Sequence, residues 1–492
     1  MLRGERGRDA VRDQDRRGRM RALRGAPVAQ AQSFAAERAG GMTLVTMNQM
    51  TLGLAGLTIY LFCVHSFKLP IAAGGIAIGI LGVMTSQRGF SVPAPVVLFA
   101  AFLLWSMNGL LTSRFPDLVG AALIDYLKIL LILFVAINSV RSLSQLAIFV
   151  GVWVLMFGAF PARGTYLNFL AGIGDFGRFA WNFSFKNFND LAAYAILTMA
   201  LSGFLALGRY ARWIRIGGLI SALGVAVLIV LTQSRGAFLG ITLGFAAMLL
   251  RSRNRKRLLQ IVALASLCIV LTAPQAVWER FSRMQFLFDT ETIGEADTSA
   301  EQRYVILQVA LTIAKEHMGT GVGLGAYAET HAEYAGERQE WAFGGGTRDA
   351  HNMYVLIAAE TGILGLALFL SMLGVTLQKG AKVEKLIRKS LPIEAEQLRV
   401  LRFGLIAFLI AAIFGSFHRS SFLYLYVAVL WTACEQFAQR VSANGGEASL
   451  QARASDSGAH ATVGLRGQQQ QPTRQFPIPG IVTRRLGRSA RL

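Results

Sequence analysis

Charged residues are scarce. Asp, Glu, Lys and Arg make up 16% of the 492 residues, against about 25% in an ordinary soluble domain. That shortfall excludes a large solvated surface, and 53% hydrophobic content stands in its place. Cysteine is rare too: Cys63, Cys268 and Cys434 each lie inside or at the edge of an apolar run. They show no CxxC or Cys/His spacing, so a zinc site is not expected, and they read as small hydrophobes packed among helices. Acidic residues number 28 against 49 Lys and Arg, a net charge of +21. The positives crowd into short segments between apolar runs and into both ends of the chain, the placement of cytoplasmic connections. No basic face with interleaved aromatics accompanies them, so no nucleic-acid partner is expected.

What is abundant is apolar sequence in membrane-length pieces. A helix needs about 20 apolar residues to cross a bilayer. Twelve candidate spans fall near 43–66, 69–84, 92–111, 119–137, 143–160, 188–207, 214–232, 236–250, 258–273, 352–377, 400–417 and 421–438. The expected fold is all-α and polytopic, with about twelve transmembrane helices and one large loop. Residues 1–42 read as a disordered basic tail; they lack the form of a cleavable signal, since about forty residues precede the first apolar run. A membrane domain of about nine helices then covers 43–273, a loop 274–350, and about three further helices 351–438. A second disordered tail occupies 439–492, with a glutamine tract at Gln468–Gln471.

Orientation follows from the connections. SQRG (86–89), GRYARWIR (208–215), RSRNRKR (251–257) and KGAKVEKLIRKS (379–390) fall on one side, together with both tails. The positive-inside rule makes that side cytoplasmic. The other side receives 161–186 and the 77 residues of 274–350, with twelve Asp/Glu against six Lys/Arg.

Under this topology the spans starting near 188, 236 and 352 point their N-termini outward, with unsatisfied amides and the positive end of the helix dipole. A distinctive polar residue precedes each: Lys186 in FKNFND, Arg235 in TQSRGAF, His351 in DAHNMY. Converging, these starts would form an anion site; dispersed, the cations would simply snorkel at the interface. In the outer loop, EQRYVILQVALTIAKEH (301–317) is amphipathic, with Tyr304, Leu307, Leu311 and Ala314 able to share a face and Arg303 at the helix start. GTGVGLGAY (319–327) lacks the preceding strand and the Lys-Ser/Thr of a phosphate loop and reads as a flexible turn. Asp125 and Lys128, three apart inside a span, mark a functional position by default, although their spacing allows mutual neutralisation.

LTQSRGAFLGITLGF, QRYVILQVALTIAKEHMGTGVGLGAY and AHNMYVLIAAETGILGLALFL, in this order around one long outer loop, resemble the core of the O-antigen ligase and polymerase superfamily. Its members are bacterial inner-membrane glycosyltransferases. The resemblance covers roughly 185–375 and implies a polyprenyl-diphosphate-linked glycan donor, membrane lipids as surroundings, and no cofactor or required metal. It would make Arg235 and Arg303 ligands of the donor diphosphate, with Lys186 as a further point charge. His351 would stand near the acceptor hydroxyl; one common variant has His-Ser where this chain has His351-Asn352. Arginine binds phosphate oxygens bidentately, and histidine can serve as general base near neutral pH. Adjoining arginines would lower its pKa; a role as hydrogen-bond donor to developing charge is the alternative. The acceptor is expected to be a lipid A-core sugar, as for a ligase, with polymerase or protein O-glycosylation as alternatives. A secondary transporter or flippase is the reading from another class, resting on Asp125 and Lys128.

Overall fold

The computed structural model describes residues 50–251 and 298–466, apart from 67–70, 88, 176, 182–184, 186, 339–340 and 342–343, plus isolated positions from 256 to 263. Every regular element among these residues is helical. They are α1 (Leu52–His65), α2 (Ala72–Met84), α3 (Ala94–Ser106), α4 (Pro116–Ser139), α5 (Leu143–Phe157), α6 (Arg163–Leu170), α7 (Phe188–Leu207), α8 (Arg212–Thr232), α9 (Arg235–Arg251), α10 (Thr298–Glu316), α11 (Tyr327–Glu337), α12 (Met353–Ile387), α13 (Pro392–Ala411) and α14 (Ser421–Arg466). Gln439 opens a second compact unit.

Seven segments are long and apolar enough to cross a membrane: Ala94–Thr112, Pro116–Ser139, Leu143–Leu170, Phe188–Leu207, Arg212–Thr232, Met353–Ile387 and Pro392–Phe414. The chain is a multi-pass membrane protein. The spans expected near 43–66, 69–84 and 236–250 coincide with shorter apolar helices, and that near 421–438 opens α14. The span expected at 258–273 and the tail at 1–42 lie outside the described residues, as do Lys186 and Cys268.

Small residues set the closest approaches. A Cβ on Gly56 of α1 would come 2.4 Å from the Gly79 nitrogen of α2, so the two backbones touch where lipid supplies no hydrophobic drive to associate. Helix α13 packs against α7, α9 and α12, and α12 also packs on α3. At one end of α12, an ion network fastens three helices. Glu384 meets Arg399 at 2.8 Å, Arg388 at 3.2 Å and Arg402, while Lys379 reaches Glu435 of α14 at 2.9 Å and lies over the Trp431 ring. Arg399 is only 2% exposed, so each of these charges depends on its partners.

At the opposite end, which we call the loop end, α12 is broken. Gly362 has φ +68° and ψ −174° inside the helix, a positive-φ extended backbone that is nearly confined to glycine and costs residues with a Cβ about 1–3 kcal/mol. A break at membrane depth is tolerated only if the freed backbone groups find partners. Here they do. The Ala359 and Glu360 carbonyls accept from the Val322 and Gly323 amides at 2.9 and 3.0 Å, and the Ile363 amide donates to the Met318 carbonyl at 2.9 Å. Trp105 Nε1 donates to the Thr361 carbonyl at 2.8 Å. The stretch 319–327, read from sequence as a flexible turn, is therefore the ordered segment that closes the break.

Helix α10 forms where expected but turns a different face inward. Ile306, Val309, Ala310 and Ile313 are buried, while Tyr304 and Leu311 are 63% and 41% exposed. The helix is apolar on more than one side, and the stripe of small and β-branched residues is the one that fits its neighbours. Those buried at 309, 310 and 313 join Val322, Ala326, Tyr327, Ala335, Trp341, Ala350, Leu356 and Ala359 in a small core. That core ties α10 and α11 to the start of α12.

Candidate functional site

Ala350, 2% exposed in this core, fixes the chain one residue before His351. Two residues later the helix begins, capped by Asn352, whose Oδ1 accepts from the Tyr354 and Val355 amides at 3.0 and 3.1 Å. A side chain taking both amides satisfies donors that a helix start leaves orphaned. His351, squeezed between a buried alanine and a cap, adopts φ +50°. Positive φ is uncommon for a residue with a Cβ and persists where the surroundings over-determine it. Among the described residues the other non-glycine case is Gln233, two residues before Arg235. Both exceptions thus adjoin positions that the sequence singles out.

The His351 ring is partly buried in a charged setting of Arg303 in the first turns of α10, Arg348 and Asp349. Burial lowers its pKa below the ordinary 6.5, Asp349 opposes that shift, and the two arginines add to it. Arginine repulsion was the cause expected from sequence; desolvation is the larger one. Asp349 Oδ1 accepts from the His351 amide at 3.4 Å and from the Ser416 hydroxyl at 2.5 Å. Ser416 lies in the connection between α13 and α14, so Asp349 links that connection to the start of α12.

Arg235 begins α9 immediately after a tight turn at Gln233 and Ser234. Arg178 braces this turn: its Nε donates to the Thr232 carbonyl at 2.9 Å and its Nη2 to Asn189 Oδ1 at 3.0 Å. Gln233 Nε2 donates to the Gly177 carbonyl at 2.7 Å. The residue after Asn189, Asp190, faces Asp349 closely enough for the carboxylates to repel. On its other side, Gly236 packs against Phe414, two residues before Ser416.

The structure thus brings His351 and Arg303 together and places Arg235 at the same end of the bundle, joined to them through Asn189, Asp190 and Asp349. Asp125 and Lys128 are elsewhere: they pair at 2.8 Å with side chains 69% and 60% exposed, on the surface of the bundle rather than along an internal path. Among the described residues, no three His, Cys, Asp or Glu side chains form a group able to hold a metal.

Sequence reasoning missed Asp190, Asp349, Ser416, Glu360 and Arg419. Glu360 carried a readable signal, being an acidic residue eight places inside an apolar span. It is 3% exposed, with Arg419 at 3.6 Å and His418 at 3.9 Å. Burial lowers the His418 pKa to about 3, so the ring is neutral near pH 7 and gives Glu360 no counter-charge.

Comparison with curated proteins gives no match to this chain. The family model described as O-antigen ligase matches residues 219–370, the stretch from α8 to α12 that contains Arg235, Arg303, His351 and the Gly362 break, and this match supports membership of the O-antigen ligase/polymerase superfamily.

Proposed function

We propose that the protein transfers a glycan from a polyprenyl-diphosphate donor to an acceptor hydroxyl at the outer face of the bacterial inner membrane. In this reading His351 is the general base. The acceptor oxygen attacks the anomeric carbon, the bond from that carbon to the phosphate oxygen breaks, and the diphosphate leaves with the electron pair. The hydroxyl proton passes to His351. Arg303 and Arg235, with Lys186, hold the diphosphate and offset the charge that grows on it, work suited to guanidinium groups in a partly desolvated site.

The single observation that carries the proposal is His351 itself: held at positive φ, partly buried, and beside Arg303 within the family-matched segment. A lowered pKa keeps the ring unprotonated near neutral pH, as a base requires. About twelve spans, both tails cytoplasmic and 274–350 exported complete the arrangement; the Lys and Arg clusters in the short connections 208–215, 251–257 and 379–390 support it. No metal takes part in the proposed steps, since arginines supply the charge stabilisation. A lipid A-core sugar is the favoured acceptor, by analogy with the ligase family alone.

The test is mass spectrometry of surface glycoconjugates after deletion. Uncapped lipid A-core is the expected result. Short chains on a capped core would indicate a polymerase, and loss of protein glycans a protein glycosylase. Unchanged glycoconjugates with altered uptake or export of a solute would refute the transferase reading.

A further inference from the structure

Several ion pairs in this bundle bury a glutamate against an arginine, among them Arg209–Glu394 at 3.8 Å with its arginine 58% exposed, and two others differ in how far the arginine is withdrawn. At one end, Arg399 meets Glu384 at 2.8 Å and is itself 2% exposed. At the loop end, Arg419 stands 3.6 Å from Glu360, and its side chain is 52% exposed while the carboxylate is 3% exposed. The first geometry is that of a structural pair, both members withdrawn from solvent. The second sets a single guanidinium nitrogen at ion-pair distance, beyond hydrogen-bond reach, and leaves the side chain half exposed.

The surroundings of Arg419 fix its position. Its Nη2 lies against Gly325, where an added Cβ would come within 3.0 Å, and the Tyr126 hydroxyl stands beside it. The backbone amides of Gly325 and Tyr327 face Glu360. The carboxylate is thus set among the backbone that closes the helix break, and it has polar neighbours besides the arginine. Glu360 Oε2 and both ring nitrogens of His418 make no hydrogen bond among the described residues; the guanidinium does not turn in to meet them but opens outward, and Asp349 lies within electrostatic range of both Arg419 and His351. Arg419 therefore belongs to the same end of the molecule as the candidate base.

We propose that Arg419 is a further binding residue of this site, taking the diphosphate of the lipid-linked donor, and that Glu360 is its positioning residue. The inference rests on the transferase reading above and adds to it a cation outside the family-matched segment. A guanidinium carries five donors in a planar fork; with one nitrogen drawn toward a buried carboxylate 3.6 Å away, its outward donors can take phosphate oxygens. The same chemistry would also accept an anionic phospholipid headgroup, so the test has to separate the two.

The experiment uses full-length protein in neutral detergent, with Arg419→Ala, Arg419→Gln and Glu360→Gln variants. Two quantities are read: affinity for inorganic pyrophosphate, and KM for donor and for acceptor. Arg419→Ala and Arg419→Gln should weaken pyrophosphate binding and raise the donor KM by about 10- to 100-fold, the worth of one or two charge-assisted hydrogen bonds, with acceptor KM unchanged. Glu360→Gln should raise donor KM with little change in kcat, a split that general loss of folded protein would not produce. If wild-type protein binds pyrophosphate through Arg419 but transfers no glycan, the transferase reading fails and this inference stands. Wild-type pyrophosphate affinity and donor KM in a folded Arg419→Gln protein would overturn it. So would a variant whose only defect is lost stimulation by phosphatidylglycerol, which would assign the cation to a lipid headgroup.

Discussion

Replacing Gly362 with alanine tests whether the helix break is built into the fold. The positive-φ extended backbone at this position costs an alanine about 1–3 kcal/mol. The new Cβ would stand 2.1 Å from the Gly319 carbonyl oxygen, an overpacking that costs about 1–3 kcal/mol to relieve. Relief by separating the strands of chain would break the Ile363–Met318 hydrogen bond, worth about 1 kcal/mol. Gly362→Ala should therefore lose about 3–7 kcal/mol in all. Gly374→Ala is the control: it lies in the same helix with nothing within 4 Å of its Cβ, and it should be neutral or gain about 0.5–1 kcal/mol. Thermal unfolding in detergent gives the ranking, and hydrogen exchange at the Val322 and Gly323 amides reports the loop directly. Gly362→Ala should accelerate exchange at both amides. Equal stability of the two variants, with those amides still protected, would refute the interlock.

Three further outcomes are expected. The acid limb of the transfer rate should lie below pH 6.5, because His351 must be neutral to act and its pKa is lowered; Arg303→Gln should move that limb upward and Asp349→Asn downward, and a limb fixed in all three proteins would contradict the assignment. Glu384→Gln should cost about 1.5–3 kcal/mol in thermal unfolding, since Arg399 and Arg402 lose their shared carboxylate while Arg399 keeps Glu396 at 2.6 Å; a stable variant would show that the network carries no structural weight. In a cysteine-free background, Thr347→Cys should react with an impermeant maleimide from outside and Ser455→Cys should not, and the reverse pattern would invert the topology.

Much of the fold was legible because membrane spans are long and uniform. The expected span at 188–207 coincides with α7, and 119–137 and 214–232 lie within α4 and α8. Helix α10 was found from its periodicity, yet its inward face was not, because it has two apolar stripes and only tertiary packing chooses between them. The closing of the Gly362 break was illegible for a different reason: its partners at Met318, Val322 and Gly323 are distant in sequence, and the bonds are made by backbone groups that every residue carries. Among the candidate residues, His351, Arg235 and Arg303 were visible as polar groups at helix starts. Asp190 and Asp349 were not, since each looks like an ordinary first-turn or loop acid until the fold sets them face to face. Glu360 was the avoidable omission, an isolated carboxylate within an apolar run.

Transfer by purified His351→Gln protein tests the catalytic role most directly. Glutamine retains hydrogen-bonding capacity but is no equivalent base. The cap at the helix start belongs to Asn352, which the substitution leaves in place. The variant should insert, fold and bind the lipid-linked donor as the wild type does, while the rate of transfer falls by about 10²- to 10⁴-fold. A His351→Gln protein that transfers glycan at the wild-type rate would contradict the assignment of His351 as general base.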